Sequence, residues 1–220
     1  MRLPITPATT LLRELRDGAR QHNRGGRVIV AVDGIDGAGK TVFADALAEV
    51  FAEDGSAVFR ASIDDFHRPR AERYARGARS PEGFYRDSYD YSTFRRVLID
   101  PFRIAGSSGW VTDYFDAARD MPAIDPTWIT GPADAVLVVD GTFLNRPELR
   151  GLWHWSVWLD ADPVAAAERL LTLDGPSALS DRYRGGQALY EADANPRAKA
   201  TAIVDNTDPA FPRRVFADAC

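Results

Sequence analysis

Cysteine is almost absent from this chain. Its single cysteine, Cys220, is the last of 220 residues, so no intrachain disulfide can form and the fold must rest on its core. A reducing cytoplasm is the expected setting. The sequence also lacks an apolar run of the roughly 18 residues that a membrane span requires, and Met1-Arg2-Leu3-Pro4 is not followed by the apolar stretch of a signal peptide. The expectation is therefore a soluble, cytoplasmic protein with no membrane partner. There is no excess of positive charge: the net charge is -5, and the arginines are scattered or grouped in short loops rather than forming a basic stripe beside stacked aromatics. That pattern argues against nucleic acid as the main partner. Repeats, low-complexity tracts and interdomain linkers are missing as well.

A balance of 45% hydrophobic and 27% charged residues suits one globular α/β domain spanning 1–220. Leu11, Leu12, Leu15 and Ala19 recur at helical spacing and predict a helix over 9–21, capped by Thr9 or Thr10 and ended by Arg24-Gly25-Gly26. The β-branched run 28–32 predicts a strand buried on both faces of a parallel sheet. Residues 42–53 predict a helix stopped by Asp54-Gly55. Further apolar runs at 57–63, 135–139 and 155–159, with a shorter one at 201–204, predict more strands separated by helices. The expected architecture is a three-layer fold, a parallel sheet of about five strands flanked by helices, with its core over 28–209 and a small lid over 169–187. The arginine-, glycine- and tyrosine-rich stretch 69–86 and the turn-rich stretch 104–132 are expected to be loops over a substrate site. Trp153, Trp155 and Trp158 offer a homo-oligomer interface or, more simply, alternate within a buried strand.

Between the first strand and the second helix lies Gly34-Ile35-Asp36-Gly37-Ala38-Gly39-Lys40-Thr41, a phosphate-binding P-loop in the strand-to-helix context that gives the pattern its meaning. Its glycines let successive amides point inward, and the positive end of the following helix, beginning near Val42, adds to their field. Lys40 is expected to neutralise charge on the terminal phosphates of ATP or another nucleoside triphosphate, and the Thr41 hydroxyl to coordinate Mg2+.

Two further strand ends carry acids. The strand over 57–63 runs into Asp64-Asp65-Phe66-His67-Arg68-Pro69, placing two carboxylates at the sheet edge where ligands gather. Asp64 or Asp65 could accept a proton from an attacking hydroxyl, or cap the following helix; His67 could touch substrate or lie on the surface. The strand over 135–139 ends in Asp140-Gly141, an arrangement that holds a metal ion opposite the phosphate loop or forms a simple turn. Beyond the strand over 155–159, Arg169, Arg182 and Arg184 punctuate what resembles a hinged lid. Such arginines could close over a triphosphate or sit on a solvated helix face.

Together these residues resemble the uridine kinase, phosphoribulokinase and nicotinamide riboside kinase group of P-loop kinases, over about 28–209. The segment Asp64-Asp65-Phe66-His67-Arg68-Pro69 is similar to the group's aspartate-any-aromatic motif, whose first aspartate is the catalytic base. The resemblance thus implies Asp64 as base; Asp64 is also expected beside the metal, with Asp65 and His67 on the substrate side. Tyr89-Asp90-Tyr91 is similar to the segment whose aspartate binds ribose hydroxyls, which implies Asp90 and Tyr91 as substrate contacts, with Asp87 the fallback. Asp140 matches the acidic metal position, and Arg169, Arg182, Arg184 and Gln187 fall where lid and substrate residues occur. The lid segment Arg169-Leu170-Leu171-Thr172-Leu173-Asp174 has fewer arginines than uridine kinases carry, and 68–86 departs from their pyrimidine-binding region. The implied activity is ATP- and Mg2+-dependent phosphorylation of a small hydroxyl-bearing acceptor, a nucleoside or similar ribosyl metabolite. Alternatives are a kinase for a sugar phosphate or pantothenate-like alcohol, to which the arginines of 68–86 would suit an anionic acceptor, and a nucleotide-dependent regulatory module.

Overall fold

A computed structural model describes residues 2–23, 25–104, 106 and 108–216; Cys220 lies outside them. The first helix, α1, runs Pro7–His22. Its cap is Thr6 rather than Thr9 or Thr10: the Thr6 hydroxyl accepts the Thr9 amide at 3.1 Å while Thr9 Oγ1 accepts the Thr6 amide at 2.9 Å. This reciprocal pair satisfies two amides at once, and Pro7 opens the helix behind it.

Strands β1 (Val28–Gly34), β2 (Val58–Ser62), β5 (Val136–Asp140), β6 (Trp155–Asp160), β7 (Ala202–Asp205) and β8 (Arg213–Val215) form one sheet in the order β2-β5-β1-β6-β7-β8. The first five are parallel, as the apolar runs predict. The sixth, β8, pairs antiparallel with β7 and raises the expected count by one. A three-residue edge strand reading Arg213-Arg214-Val215 has no apolar run to announce it, and its charges suit an open sheet edge. A separate two-stranded ribbon pairs β3 (Phe115–Asp116) with β4 (Met121–Pro122).

Alternation along β1 divides the core. Val28, Val30 and Val32 meet Leu12 and Leu15 of α1 and Leu47 and Phe51 of α2 (Lys40–Glu53). Ile29 and Ala31 belong to the opposite layer, with Leu98, Phe102, Trp110 and Tyr190. Each such side chain withdrawn from water contributes on the order of 2 kcal/mol, so a central strand covered on both sides is the anchor of the fold. Trp155 and Trp158 are buried within β6, and Trp153, half-buried, lies just before that strand.

The irregular stretches hold more structure than expected. Short helices α3 (Arg70–Arg73) and α4 (Pro81–Asp87) interrupt 69–86; Ser80 caps α4 through the Gly83 amide and Pro81 starts it, two signals present in the sequence. Helices α5 (Tyr91–Phe94) and α6 (Asp100–Ile104) join through a π-helical turn over Arg95–Ile99. The chain after α6 is pinned to the sheet by buried Arg27, whose guanidinium lies 4.7 Å from the Trp110 ring centre and donates to the carbonyls of Phe102, Gly131 and Pro132. The C-terminal third adds α7 (Pro163–Leu173), α8 (Asp181–Ala194) and α9 (Pro196–Lys199). No described helix is long and apolar enough to cross a membrane.

Candidate active site

The phosphate loop leaves β1 at Gly34 and enters α2 at Lys40 with no side chain capping the helix, so the first-turn amides stay open to an anion. Gly37 is fixed by geometry: φ is 79° and a Cβ there would stand 2.3 Å from the Ala166 carbonyl oxygen of α7, so only glycine lets that helix pack this close. Lys40 Nζ donates to the carbonyls of Gly34 and Ile35 at 3.2 and 3.1 Å and lies 3.6 Å from Asp36. Asn206 Nδ2 supports the loop from below through the Ala38 carbonyl at 2.7 Å. Asn206 was not singled out in the sequence, where an Asn after a short strand carries no distinguishing signal.

Across the sheet edge, Thr41 Oγ1 donates to Asp140 Oδ2 at 2.7 Å. The hydroxyl and carboxylate expected to share a magnesium ion are therefore adjacent, and a hard cation with octahedral preference needs only a few protein oxygens beside phosphate and water; the pair fits that role. Among the described residues no group of three or more His, Cys, Asp or Glu could hold a metal by itself. The second Asp140 oxygen takes Arg60 at 2.8 Å, a basic partner on β2 that no local pattern marks in the sequence.

Asp64 and Asp65 lie on a single 3-10 turn, Ile63–Phe66, directly after β2. Both line a cavity of about 800 Å3 that also reaches Asp36 of the phosphate loop, His67 and Tyr89. Tyr89 donates to Asp64 Oδ1 at 2.8 Å and so orients the carboxylate. Burial, then Asp113 and Asp64, push the Asp65 carboxyl up to about 6. Burial holds the His67 imidazole below its ordinary range, and its Nδ1 lies 2.6 Å from the Asp64 carbonyl. With Nδ1–H donating there, Nε2 is left as an acceptor. The ribbon and its flanks supply Asp113, Asp116, Arg119 and Ile124 to the far wall. Without periodicity in 104–132, nothing in the sequence marks these residues.

The remaining expected site residues are spread more widely. Arg169 of α7 donates to the carbonyls of Gly37, Asn206 and Thr207, clasping the phosphate loop from outside. Arg169, with Val42 and Leu173, also lines an apolar cleft of about 210 Å3 closed by Pro209 and Pro212. Arg182 is not brought to the acid-walled cavity: it is buried, stacked 4.6 Å from the Tyr74 ring centre and bonded to the carbonyls of Ser80 and Arg73. Arg184 pairs with Asp181 on the surface. Gln187 lines a neighbouring cleft between α7 and α8. Asp90 caps α5 through the Thr93 amide at 3.0 Å, and the Tyr91 ring lies 4.5 Å from the Arg146 guanidinium carbon; neither lines the large cavity. Asp87 pairs with Arg76. The arginines of 68–86 are likewise outside that cavity, whose one lining arginine is Arg119.

A phosphate loop after the central strand of a five-parallel, one-antiparallel sheet, with helices on both faces, defines the three-layer P-loop fold. Comparison with known proteins narrows the resemblance. The chain is 28% identical over 141 residues to a uridine kinase of Leuconostoc citreum, a match spanning 61% of this chain and 62% of that protein. A possible uridine kinase from Bacillus stearothermophilus superposes with a TM-score of 0.70 at 20% identity, covering 89% of this chain and 96% of that one. D-glycerate 3-kinase from Cryptococcus neoformans var. grubii does so with a TM-score of 0.62 at 11% identity, covering 94% and 99%. No protein-family model matches. The chain resembles the uridine kinase-like group of P-loop kinases.

Proposed function

We propose that this chain is a P-loop small-molecule kinase that passes the terminal phosphoryl group of ATP, or of another nucleoside triphosphate, to a hydroxyl of a ribosyl-type acceptor, with Asp64 as the base. One observation carries the reading: Asp36 of the phosphate loop and the Asp64–Asp65 turn line the same cavity, so a triphosphate and a proton-accepting carboxylate share one space. The acceptor oxygen attacks the γ-phosphorus, the bond from that phosphorus to the bridging oxygen breaks, and the hydroxyl proton passes to Asp64. Lys40 and the loop amides offset the charge gathering on the phosphate oxygens. Thr41 and Asp140 would hold Mg2+, which supplies charge neutralisation at the phosphates when bound. Arg169 braces the loop, and the apolar cleft beside Val42 and Leu173 suits a flat nucleobase.

The cavity wall favours an uncharged or cationic acceptor. Six carboxylates line it, from Asp36, Asp64, Asp65, Asp113, Asp116 and Asp174, against the single Arg119, so an acceptor that already carries a phosphate meets a repulsive field. The relative from Leuconostoc citreum, named a uridine kinase, supports the nucleoside reading over a sugar phosphate. ADP release would be followed with Mg·ATP across a panel of neutral nucleosides, cationic ribosides, sugars and sugar phosphates. Stimulation by a neutral or cationic ribosyl alcohol is the expected result; no stimulation by any member would overturn it. Asp64→Asn is expected to cost at least about 100-fold in kcat at unchanged ATP affinity.

A further inference from the structure

One residue before its end, the first strand carries a carboxylate that phosphoryl transfer does not use. Asp33 is 0% exposed, sits directly before Gly34, and gathers groups from three parts of the chain. Its Oδ1 accepts the Gly34 amide at 2.8 Å. Its Oδ2 accepts the Asn145 amide at 2.8 Å, the Asn145 Nδ2 at 3.0 Å and the hydroxyl of Tyr190. Tyr190 lies on α8 and its hydroxyl also accepts the Asn145 amide at 2.8 Å. A fully buried carboxylate is costly unless its lone pairs are matched, and here donors from the phosphate loop, the segment after β5 and α8 match them together.

We propose that Asp33 is a positioning residue for the phosphate loop, and that the Tyr190 hydroxyl is the contact through which α8 sets where the loop begins. The inference rests on the nucleotide-binding reading for its affinity readout only. An anchor alters affinity only if it is worth more in one state than in the other. In the structure, Lys40 stays folded onto the Gly34 and Ile35 carbonyls, a second set of ties at the start of the loop. When Lys40 turns to phosphate those ties are released, and the Asp33 bond to the Gly34 amide carries more of the load. The helix at the other end is held stiffly: a Cβ at Gly186 of α8 would stand 2.5 Å from Phe84 Cδ1, so α8 is keyed into α4 and cannot drift without moving Tyr190. Through this chain of contacts the helix that bears Arg182, Arg184 and Gln187 is tied to the first amide of the phosphate cradle.

Tyr190→Phe removes one hydroxyl and keeps the ring. Tyr85→Phe serves as the control, because Tyr85 packs in the same cluster and its hydroxyl also ties α8, through Asp193 at 2.7 Å, without touching Asp33. Two measurements are made on both variants: amide hydrogen exchange over 34–41 in the free protein, and titration calorimetry with Mg·ATP. Tyr190→Phe is expected to speed exchange at Gly34 and its neighbours and to raise the Kd about tenfold, the size expected for losing a bond to a charged group. Tyr85→Phe is expected to lower the melting temperature while leaving loop exchange and Kd at wild-type values. Asn145→Ala, which spares the backbone amide and deletes only the Nδ2 donor, should fall between. Unchanged loop exchange in Tyr190→Phe, or equal effects from Tyr85→Phe, would overturn the proposal. A wild-type protein that binds no Mg·ATP would overturn the kinase reading, while the exchange result would still decide this one.

Discussion

The two sides of the candidate site are built differently. The phosphate side is a strand end, a loop and a helix start, held by backbone geometry, by Asp33 and Asn206, and by α7 pressed onto Gly37. The acceptor side is walled by a short turn, a two-residue ribbon and partly exposed acids. The contrast follows from the chemistry asked of each side. A triphosphate is the same charged object whatever the acceptor, so amides fixed before it arrives lower the cost of binding it. An acceptor is recognised by side chains, and side chains on loops can change without disturbing the sheet. Damage to the phosphate side should therefore cost more than damage to the acceptor side.

The largest effect is expected from Lys40→Met, which leaves the loop backbone in place and removes the one ammonium group facing it. Turnover in the ADP-release assay should fall by about three orders of magnitude or more, with circular dichroism unchanged. A variant that keeps a tenth of wild-type turnover would break the comparison at its strongest point.

Next comes Gly37→Ala. Its Cβ would be forced against the Ala166 carbonyl at a positive φ, and strain plus overpacking should destabilise the chain by about 2–3 kcal/mol, read by urea titration. Nucleotide affinity should fall with it, because α7 must back away and take Arg169 along. Asp113→Asn tests the opposite wall: loss of one exposed charge should change acceptor KM by only about threefold and leave kcat alone. An effect as large as that of Gly37→Ala would mean that the acceptor wall is as rigidly specified as the cradle.

The same contrast decides what could be read from the sequence. The phosphate loop, β1, α2 and the apolar cores of β5 and β6 were legible because each is specified by a local pattern: a glycine spacing that only one backbone path satisfies, or a continuous apolar run that only a doubly covered strand can bury. Asp64 and Asp65 were legible as a strand end. The ribbon that supplies Asp113 and Asp116 was not, since its two-residue strands are defined by where they land against the cavity and not by their own periodicity. Arg182 illustrates a second limit. Its position in the chain says lid, but its guanidinium is consumed by the Tyr74 ring and two carbonyls, a tertiary fate that one-dimensional spacing does not encode. Asp33 shows a third: as the acid after a valine run it reads as the end of a strand, and only the arrival of Tyr190 and Asn145 from far along the chain makes it a hub.

The last expected effect is one of stability, and the acid wall determines its sign. In the folded chain the Asp65 carboxyl holds its proton up to about 6, pushed there from 3.8 by burial and by Asp113 and Asp64. The unfolded chain gives up that proton near pH 4. Between these values the folded state binds more protons than the unfolded state, so stability falls as pH rises through the window and stays at its lower level above it. Asp65→Asn removes the ionisation. A shift of this size would correspond to about 3 kcal/mol if the group were fully shielded, and solvent screening of a partly exposed carboxyl reduces that to about 1 kcal/mol. The variant should therefore be more stable than wild type at pH 7 by about 1 kcal/mol, with the advantage shrinking through pH 5 and gone by pH 4, as followed by urea titration at each pH. An advantage that is the same at every pH would place the strain in packing and not in charge, and the acceptor wall would then lose its claim to be the electrostatically loaded side of the site.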